Sequence, residues 1–231
     1  MPLQPFAAAV HRNHINPRPP LPETEIEVRD EHGVRVPRGK CGLLWIRGPQ
    51  VMRGYYKNAE RTAAVLDADG WFNSGDLGCI DADGQIRITG RAKDTIVLAS
   101  GENVEPEPLE IALKGSPFVD QAVIVGQDQK QLGALLVPIF DTLQQQIPRA
   151  QWQPEGGVLR GRDVLAFYRQ LLDATLTRAR GFRPVDRVAS FAVLAEPMTI
   201  DNGLLTPTMK VKRHIVAERY AGLIRDLFAE R

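Results

Sequence analysis

Short runs in which hydrophobic and polar residues alternate fill the first ninety positions of the chain. Residues 25–29 and 43–47 alternate as half-buried strands do, and residues 71–89 predict two further strands. An Asp-Ala-Asp-Gly turn at 81–84 joins this second pair, because Asp-Gly supplies the positive φ of a tight hairpin. Residues 58–66 predict a short helix with Asn58 as its N-cap. The first part of the chain is therefore predicted to be a small β-rich subdomain.

The pattern changes after position 90, where apolar residues also recur at helical spacing. Strands are predicted at 95–99, 119–125, 132–139 and 188–194, and helices at 106–114, 163–180 and 210–230. Residues 144–162 hold two prolines and paired glycines, so we expect a loop or insertion there. Mixed strands and helices after a β-rich start predict the α+β class, with a compact second domain.

Two of the predicted helices each carry one apolar face. Their apolar residues are Val164, Phe167, Leu171 and Leu172 in the first, and Ile215, Tyr220, Leu223 and Leu227 in the second. Because residues three or four positions apart share a helix face, both helices are expected to pack on the core of the second domain.

Composition and charge exclude several classes of function. The chain carries 29 basic and 28 acidic residues, which argues against nucleic acid as a main partner. No apolar run approaches the roughly 20 residues of a membrane span, and residues 6–10 lack the preceding charges of a signal peptide. Two cysteines, Cys41 and Cys79, are too few for a disulfide framework and fit a reducing cytoplasm. We expect a cytoplasmic protein without a transmembrane segment, which still permits peripheral membrane contact.

Two features near the N-terminus resemble ligand motifs and are rejected. His11 and His14 are too few for a zinc site, and no metal ligand set is expected. Residues 33–40 resemble a P-loop, but five residues instead of four separate the glycines, and Cys41 replaces the required Ser or Thr. Residues 1–22 are rich in proline and are expected to be poorly ordered.

Asp76 and the charged residues after it are the first candidates for ligand binding. Asp76 is predicted at a strand end, where an ionised carboxylate, which only accepts hydrogen bonds, suits a vicinal diol such as a ribose. The alternative is a turn aspartate that caps its own backbone. Arg91, Lys93 and Asp94 form either a solvated linker or a hinge whose charges face a ligand.

Residues 101–103 form the second candidate region. Gly101 and Asn103 both tolerate the left-handed region of φ/ψ space, so a sharp turn is expected. Pro106 then fits the first turn of a helix, with Glu107 and Glu110 near its positive end.

Four motifs of this chain resemble, in order and spacing, the core motifs of the adenylate-forming or AMP-binding acyl synthetases. They are Gly54-Tyr55-Tyr56-Lys57-Asn58, Gly70-Trp71-Phe72-x-x-Gly75-Asp76, Gly90-Arg91-x-Lys93-Asp94 and Gly101-x-x-Val104-x-Pro106-x-x-Leu109-Glu110. Residues 94–98, 101–103 and 204–214 resemble the long-chain fatty acyl branch, and within it the acyl-acyl carrier protein synthetases of cyanobacteria and plastids. The resemblance extends from about position 19 onward and leaves an unrelated α+β domain as a minor alternative.

Two motifs of that family do not occur in this sequence. They are the phosphate-binding loop that ends in Lys-Gly and the Tyr-Gly-x-Thr-Glu segment whose glutamate holds magnesium. Both are expected upstream of Met1, so the chain resembles the C-terminal third of a synthetase. The resemblance implies that residues 1–90 end the N-terminal adenylation domain, 91–93 form a hinge, and 94–231 form a lid domain.

The resemblance also implies roles for individual residues. Asp76 would accept hydrogen bonds from the ribose hydroxyls of the nucleotide, and Arg91 would hold its sugar and phosphate region. Lys93 matches the hinge position about which the lid rotates. The turn that lines the pantetheine channel would comprise Gly101, Glu102 and Asn103.

Lys210 matches the adenylation lysine of the family, in a Thr-x-Lys turn before the last helix. A cation there would relieve the repulsion between a carboxylate and a phosphate. The alternatives are a solvated lysine at a helix start, and Lys212 as the functional cation. Arginines at 178, 180, 183 and 187, with Lys212 and Arg213, form either a solvated face or a dock for an acidic carrier protein or coenzyme A phosphates.

The implied function is that of a long-chain fatty acid ligase, which joins a fatty acid to coenzyme A or acyl carrier protein with ATP and Mg²⁺. In acyl carrier protein, the thiol belongs to a phosphopantetheine group. The chain alone is expected to be inactive and to need a separate N-terminal adenylation domain. The alternative is a non-catalytic carrier-binding module or an inactive remnant. Acyl chain length, the choice of thiol and the oligomeric state are not encoded in recognisable motifs.

Overall fold

The computed structural model of the protein describes residues 22–229, so the expectations for residues 1–21, including those for His11 and His14, lie outside it. The chain divides between Thr95 and Ile96 into two compact units. We call residues 22–95 the first unit and residues 96–229 the second unit. The α+β class predicted from the sequence is confirmed by this arrangement of sheets and helices.

The first unit is built on an antiparallel four-stranded sheet in sequential order. Its strands are β1 (Glu25–Arg29), β2 (Cys41–Arg47), β3 (Phe72–Ile80) and β4 (Ile86–Arg91), and its short helix is α1 (Ala59–Ala63). The predicted hairpin turn joins β3 to β4. The N-cap prediction is also confirmed, because the Asn58 carboxamide oxygen accepts from the backbone N–H of Arg61 at 3.0 Å.

Strand β3 corrects one expectation, since Asp76 lies inside a continuous strand and not at a strand end. Leu43 pairs with Leu77 and Trp45 with Asn73, so the three residues 74–76 lie opposite the single residue Leu44. This bulge requires a positive φ of 72° at Gly75, which glycine adopts readily. The aromatic start and the later apolar run are therefore one strand.

The two cysteines correct a second expectation. Cys41 on β2 lies directly opposite Cys79 on β3, and the two form a disulfide. Their Cα atoms are 4.2 Å apart, close to the separation of a non-hydrogen-bonded antiparallel pair. The pairing follows from strand register, which cysteine counting does not reveal.

The second unit is built on a five-stranded sheet in the order β7-β8-β11-β10-β9. Its strands are β7 (Val119–Val125), β8 (Leu132–Pro138), β9 (Pro154–Glu155), β10 (Val158–Leu159) and β11 (Val188–Leu194), preceded by the hairpin of β5 (Ile96–Val97) and β6 (Asn103–Val104). Its helices are α2 (Pro106–Lys114), α3 (Phe140–Gln146), α4 (Arg162–Thr175), α5 (Arg213–Arg219) and α6 (Ala221–Phe228). The strand β8 is buried along its whole length. It pairs with β11 in parallel, whereas the other strand pairs of this sheet are antiparallel.

Alternate residues of β8 enter two separate cores. Ala134 and Leu136 pack with α2 and α4, whereas Leu135 and Val137 pack on the other side with α5 and α6. Both predicted apolar helix faces are thus confirmed as core-facing. The sheet is covered by helices on both faces, which explains why β8 has no polar alternation.

Four predicted boundaries in the second unit are wrong. Residues 144–162 include β9 and β10, which extend the sheet beside β11. The helix predicted at 163–180 ends at Thr175, and the last helix begins only at Arg213 and breaks at Tyr220. The first strand of this unit is only two residues long. None of the helices described within residues 22–229 is long and apolar enough to cross a membrane.

Candidate functional site

Asp76 and Arg91 are brought together in the first unit. The two residues are cross-strand partners on β3 and β4, and Arg91 Nε lies 3.0 Å from Asp76 Oδ1. The Asp76 side chain is 25% exposed and that of Arg91 is 48% exposed, so a ligand can reach both. A carboxylate beside a guanidinium provides an acceptor for hydroxyl groups and a donor for phosphate oxygens.

The β3 bulge holds Asp76 in place through its own side chains. Ser74 Oγ donates to the Leu44 carbonyl at 2.8 Å and accepts from the backbone N–H of Asp76 at 3.1 Å. Asn73 Oδ1 accepts from the backbone N–H of Gly75 at 2.9 Å. The Asn73 and Ser74 side chains thus accept from the backbone N–H groups of the bulge, while the Asp76 carboxylate pairs with Arg91. This arrangement disfavours the alternative that Asp76 caps its own backbone in a turn.

Lys93 lies in a single turn of 3₁₀ helix, Ala92–Asp94, immediately after β4. Its side chain is exposed, and the turn is closed by a hydrogen bond from the Thr95 N–H to the Arg91 carbonyl at 3.1 Å. The predicted hinge at 91–93 thus immediately precedes the sequence position at which the two units divide. Its rotation stays a prediction.

The 101–103 segment forms the tight end of the β5–β6 hairpin in the second unit. The Gly101 N–H donates to the Leu98 carbonyl at 2.8 Å, and the φ of Gly101 is 81°. A Cβ at this position would meet open space, so the backbone conformation requires glycine here and local crowding does not. The expected sharp turn is confirmed, and its role at a pantetheine channel stays a prediction.

Arg183 fixes this hairpin from the loop that precedes β11. Its guanidinium donates to the Asn103 carbonyl at 2.9 Å and lies 4.0 Å from the Glu102 carboxylate. The same group forms an ion pair with the buried Asp186 at 2.9 Å, which raises the pKa of Arg183. Sequence reasoning placed Arg183 only among surface basic residues, because the two segments are 80 positions apart.

Lys210 lies at the end of a small hairpin in the second unit. The Thr206 N–H donates to the Lys210 carbonyl at 2.8 Å, and the Lys210 N–H donates to Thr206 Oγ1 at 3.1 Å. Its side chain is exposed, and α5 begins only three residues later, at Arg213. Lys210 therefore lies ahead of the helix, and its exposure agrees with a solvated lysine as well as with a functional one.

The Lys210 hairpin is anchored at both sides of its base. Leu204 and Leu205 are buried in the core under α5 and α6. Arg213 forms an ion pair of 2.5 Å with Glu110 on α2, and Glu110 also accepts from the Ile124 N–H at 2.8 Å. Burial raises the pKa of the Glu110 carboxyl, and the Arg213 charge opposes that rise. Sequence reasoning missed this anchor, and the only available signal was an acidic residue on an otherwise apolar helix face.

The structure places the predicted site residues on separate parts of the chain. Asp76 and Arg91 touch each other in the first unit, whereas Lys210 and the 101–103 turn occupy different loops of the second unit. Within residues 22–229, no cluster of three or more His, Cys, Asp or Glu side chains is arranged to hold a metal ion.

Comparison with known proteins shows that the chain resembles the AMP-binding enzyme family in two segments. The family description "AMP-binding enzyme" matches residues 8–56, and "AMP-binding enzyme C-terminal domain" matches residues 93–152. The resemblance drawn from the sequence motifs is therefore confirmed.

Curated relatives place the chain near long-chain fatty acid ligases. It is 38% identical to the chloroplastic long-chain-fatty-acid–[acyl-carrier-protein] ligase AEE15 of Arabidopsis thaliana, over 91% of this chain and 28% of that protein. It is 35% identical to the long-chain-fatty-acid–CoA ligase FadD15 of Mycobacterium tuberculosis, over 90% of this chain and 33% of that protein. The chain thus spans about a third or less of the length of these relatives.

Solved structures agree with the fold. The adenylation domain of a carboxylate reductase from Mycobacterium chelonae matches with a TM-score of 0.75 and 27% identity, over 92% of this chain and 32% of that one. The corresponding domain from Segniliparus rugosus, in complex with AMP and a co-purified carboxylic acid, matches with a TM-score of 0.73 and 28% identity, over 92% and 32%. The chain thus covers about a third of each of these two structures.

Proposed function

We propose that this chain is the C-terminal part of a long-chain fatty acid ligase. A fatty carboxylate attacks the α-phosphorus of ATP, which gives acyl-adenylate and releases pyrophosphate. A thiol of coenzyme A or of an acyl carrier protein then attacks the acyl carbon and releases AMP. The similarity to ligases of both thiol types supports the reaction class without choosing between them.

The observation that carries the proposal is the exposed Lys210 on a hydrogen-bonded, doubly anchored hairpin. In the first half-reaction a carboxylate and a phosphate, both anions, must approach each other. An ammonium between them lowers the electrostatic repulsion and stabilises charge that develops in the transition state. The anchored base fixes the backbone that carries this cation, which limits the reorganisation that the reaction requires.

The Asp76–Arg91 pair would hold the nucleotide. The Asp76 carboxylate would accept hydrogen bonds from both ribose hydroxyls, while the Arg91 guanidinium would turn to the sugar and phosphate region. Their partial exposure makes this exchange feasible, because an ion pair near solvent is worth only about 0–1 kcal/mol. Magnesium would neutralise phosphate charge, and we place its ligand in the N-terminal part of the enzyme, on the glutamate of the Tyr-Gly-x-Thr-Glu segment.

The remaining roles complete the catalytic cycle. Rotation about the hinge at Lys93 would exchange the Lys210 hairpin for the 101–103 turn between the two half-reactions. In the second state that turn would line the path of the pantetheine arm to the acyl group. We further propose a requirement for a complementary adenylation domain, because the sequence lacks the phosphate-binding loop of the family.

The direct test is pyrophosphate release from ATP that depends on a fatty acid. We would compare this chain alone with a chimera in which it replaces the segment that it matches in FadD15 (the FadD15 chimera). The proposal expects no turnover by the chain alone, and turnover by the chimera that falls strongly in Lys210→Ala. A folded chimera that binds ATP yet remains inactive would favour the alternative of a non-catalytic module or remnant.

A further inference from the structure

The two sides of the Lys210 hairpin are joined at its tip by three residues, Pro207, Thr208 and Met209. The Met209 N–H donates to the Thr206 carbonyl at 2.9 Å, which closes a β-turn over this tip. Pro207 suits the second position of such a turn, because its ring fixes φ. Lys210 is therefore the first residue after the turn, and the geometry of the turn sets the direction in which its side chain leaves the backbone.

Met209, at the end of this turn, has an unusual backbone conformation for its residue type. Its φ is 61°, in the left-handed region, and glycine is the usual residue at this position of a three-residue hairpin loop. Its side chain is 65% exposed, so burial does not offset the cost of this conformation. The conformation of the tip therefore depends on the hydrogen bonds that close it.

Thr206 provides these hydrogen bonds from both its backbone and its side chain. In a regular antiparallel pair, the N–H of each residue donates to the carbonyl of the other. Here the Thr206 N–H donates to the Lys210 carbonyl at 2.8 Å, but the Thr206 carbonyl accepts from Met209. The Thr206 hydroxyl oxygen takes the place of that carbonyl and accepts from the Lys210 N–H at 3.1 Å. One threonine thus fixes both backbone polar groups of Lys210.

The Thr206 hydroxyl is itself held in place. Its oxygen lies 3.0 Å from Thr208 Oγ1, and a threonine hydroxyl can take part in this bond while it accepts from the Lys210 N–H. The preceding residue, Leu205, is buried in the core of the second unit. Thr206 therefore links that core to the backbone of Lys210.

We propose that Thr206 is a positioning residue for acyl-adenylate formation, whose hydroxyl holds the Lys210 backbone in the orientation that brings its ammonium group between the reacting anions. The proposal rests on the proposed function for the role of Lys210. A misplacement of about 1 Å can cost about 10²-fold in rate, so a single hydrogen bond at this point matters. Thr206 touches no substrate and acts only through Lys210. The alternative is a hydroxyl that stabilises the hairpin and leaves the reaction rate unaffected.

Thr206→Val in the FadD15 chimera tests the proposal, because it keeps the branched shape of the side chain and removes the hydroxyl. The kcat of pyrophosphate release is expected to fall by roughly tenfold, the scale for one lost hydrogen bond, with little change in the KM for ATP. Thr206→Ser, which retains the hydroxyl, should restore most of the rate. Thr199→Val is the matched control and should keep the native kcat, because the Thr199 hydroxyl accepts from the Asn202 N–H at 3.1 Å, in the preceding turn.

Two further measurements separate positioning from a purely structural role. If Thr206 acts through Lys210, Thr206→Val should cause no further loss in a chimera that already carries Lys210→Ala. In the chain alone, hydrogen exchange of the Lys210 amide should be roughly tenfold faster in Thr206→Val, because that amide loses its acceptor. The exchange rate in Thr206→Ser and Thr199→Val should equal that of the native chain. Circular dichroism of each variant confirms that it is folded.

Four results would overturn the proposal. They are a native kcat in Thr206→Val, an equal loss of kcat in Thr199→Val, an additive loss in the double variant with Lys210→Ala, and unchanged exchange of the Lys210 amide in Thr206→Val. The proposed function fails in a different way, through a native rate of pyrophosphate release in Lys210→Ala. A large loss in Lys210→Ala without a loss in Thr206→Val would overturn the positioning role alone.

Discussion

At the scale of single residues, Asp76 and Arg91 satisfy each other across neighbouring strands while both remain reachable from solvent. A bound nucleotide would therefore take the place of the ion-pair partner of each residue. Its ribose hydroxyls would donate to Asp76, and its phosphate oxygens would accept from Arg91. Because the pair is near the surface, the interaction that is lost is small compared with charge-assisted hydrogen bonds to a ligand.

Replacing Asp76 by asparagine keeps its shape and removes its charge. In the FadD15 chimera, Asp76→Asn is expected to raise the KM for ATP by roughly tenfold or more, since a charge-assisted acceptor becomes a neutral one. Steady-state pyrophosphate release at varied ATP measures this. Asp83→Asn, an exposed change in the β3–β4 turn, is the control, and an unchanged KM in Asp76→Asn would remove Asp76 from the nucleotide site.

Gly75 permits the bulge that places Asp76. Gly75→Ala should lower the free energy of unfolding by about 1–2 kcal/mol, because a side chain at a φ of 72° is strained even where space is open. Urea unfolding of the chain measures the change. Gly222→Ala, in α6, also meets open space and should be neutral or stabilising. Equal effects of the two substitutions would contradict this account of the bulge.

At the scale of elements, the Cys41–Cys79 disulfide joins β2 to β3 and closes a loop with a sequence separation of 38 residues. A cross-link of this length restricts the unfolded chain, so reduction should lower the free energy of unfolding by about 2–4 kcal/mol. Urea titrations with and without reductant measure this, with the Cys41→Ser, Cys79→Ser double variant as the control insensitive to reductant. Identical midpoints for the oxidised and reduced native chain would contradict the expectation.

The Glu110–Arg213 ion pair connects α2 to the start of α5, beside the Lys210 hairpin. Arg213→Met should lower the free energy of unfolding by about 3–5 kcal/mol, because it leaves a buried carboxylate without its cation. Removing both charges in Glu110→Gln with Arg213→Met should restore part of that loss. Chemical unfolding of the native chain, Arg213→Met and the double variant measures these changes in unfolding free energy. A double variant less stable than Arg213→Met would contradict the argument.

The same carboxyl group gives a pH dependence with a definite sign. Its pKa in the folded chain is raised above the ordinary value of 4.5, so the folded state binds the proton more tightly than the unfolded state does. The stabilisation from this group is complete below 4.5 and is lost as the pH rises through the raised pKa. As the pH rises through that window, the unfolding free energy of the native chain should therefore fall relative to that of Glu110→Gln. Parallel pH profiles of the two unfolding free energies would contradict this expectation.

Elements with strong local patterns were predictable from the sequence. The bounds of α2, β7 and β11 follow from their apolar spacing, and Asn58 caps α1 as its residue type indicates. The strands β9 and β10 could not be predicted, because two residues carry no periodicity and their pairing with β11 is a tertiary effect. The disulfide depends on a strand register with a bulge, and the Glu110–Arg213 pair joins positions 103 residues apart.

At the scale of the whole molecule, the chain holds its predicted chemistry in two separate units. The groups proposed to face the nucleotide belong to the first, whereas Lys210 and the turn proposed to face the thiol belong to the second. Motif spacing identified these residues because each motif is local. The anchors of the Lys210 hairpin were not predictable, since they form only when distant segments pack.

The central claim is that Lys210 serves acyl-adenylate formation and not thiol transfer, and separate assays of the two half-reactions of the FadD15 chimera test it most directly. Lys210→Ala is expected to slow pyrophosphate release by roughly 10²–10³-fold, the scale for loss of one oriented electrostatic donor, while thiol transfer from supplied acyl-adenylate is retained. Lys212→Ala, the neighbouring lysine, should change neither step strongly. Equal losses in both half-reactions of Lys210→Ala, or a larger adenylation loss in Lys212→Ala, would contradict the account.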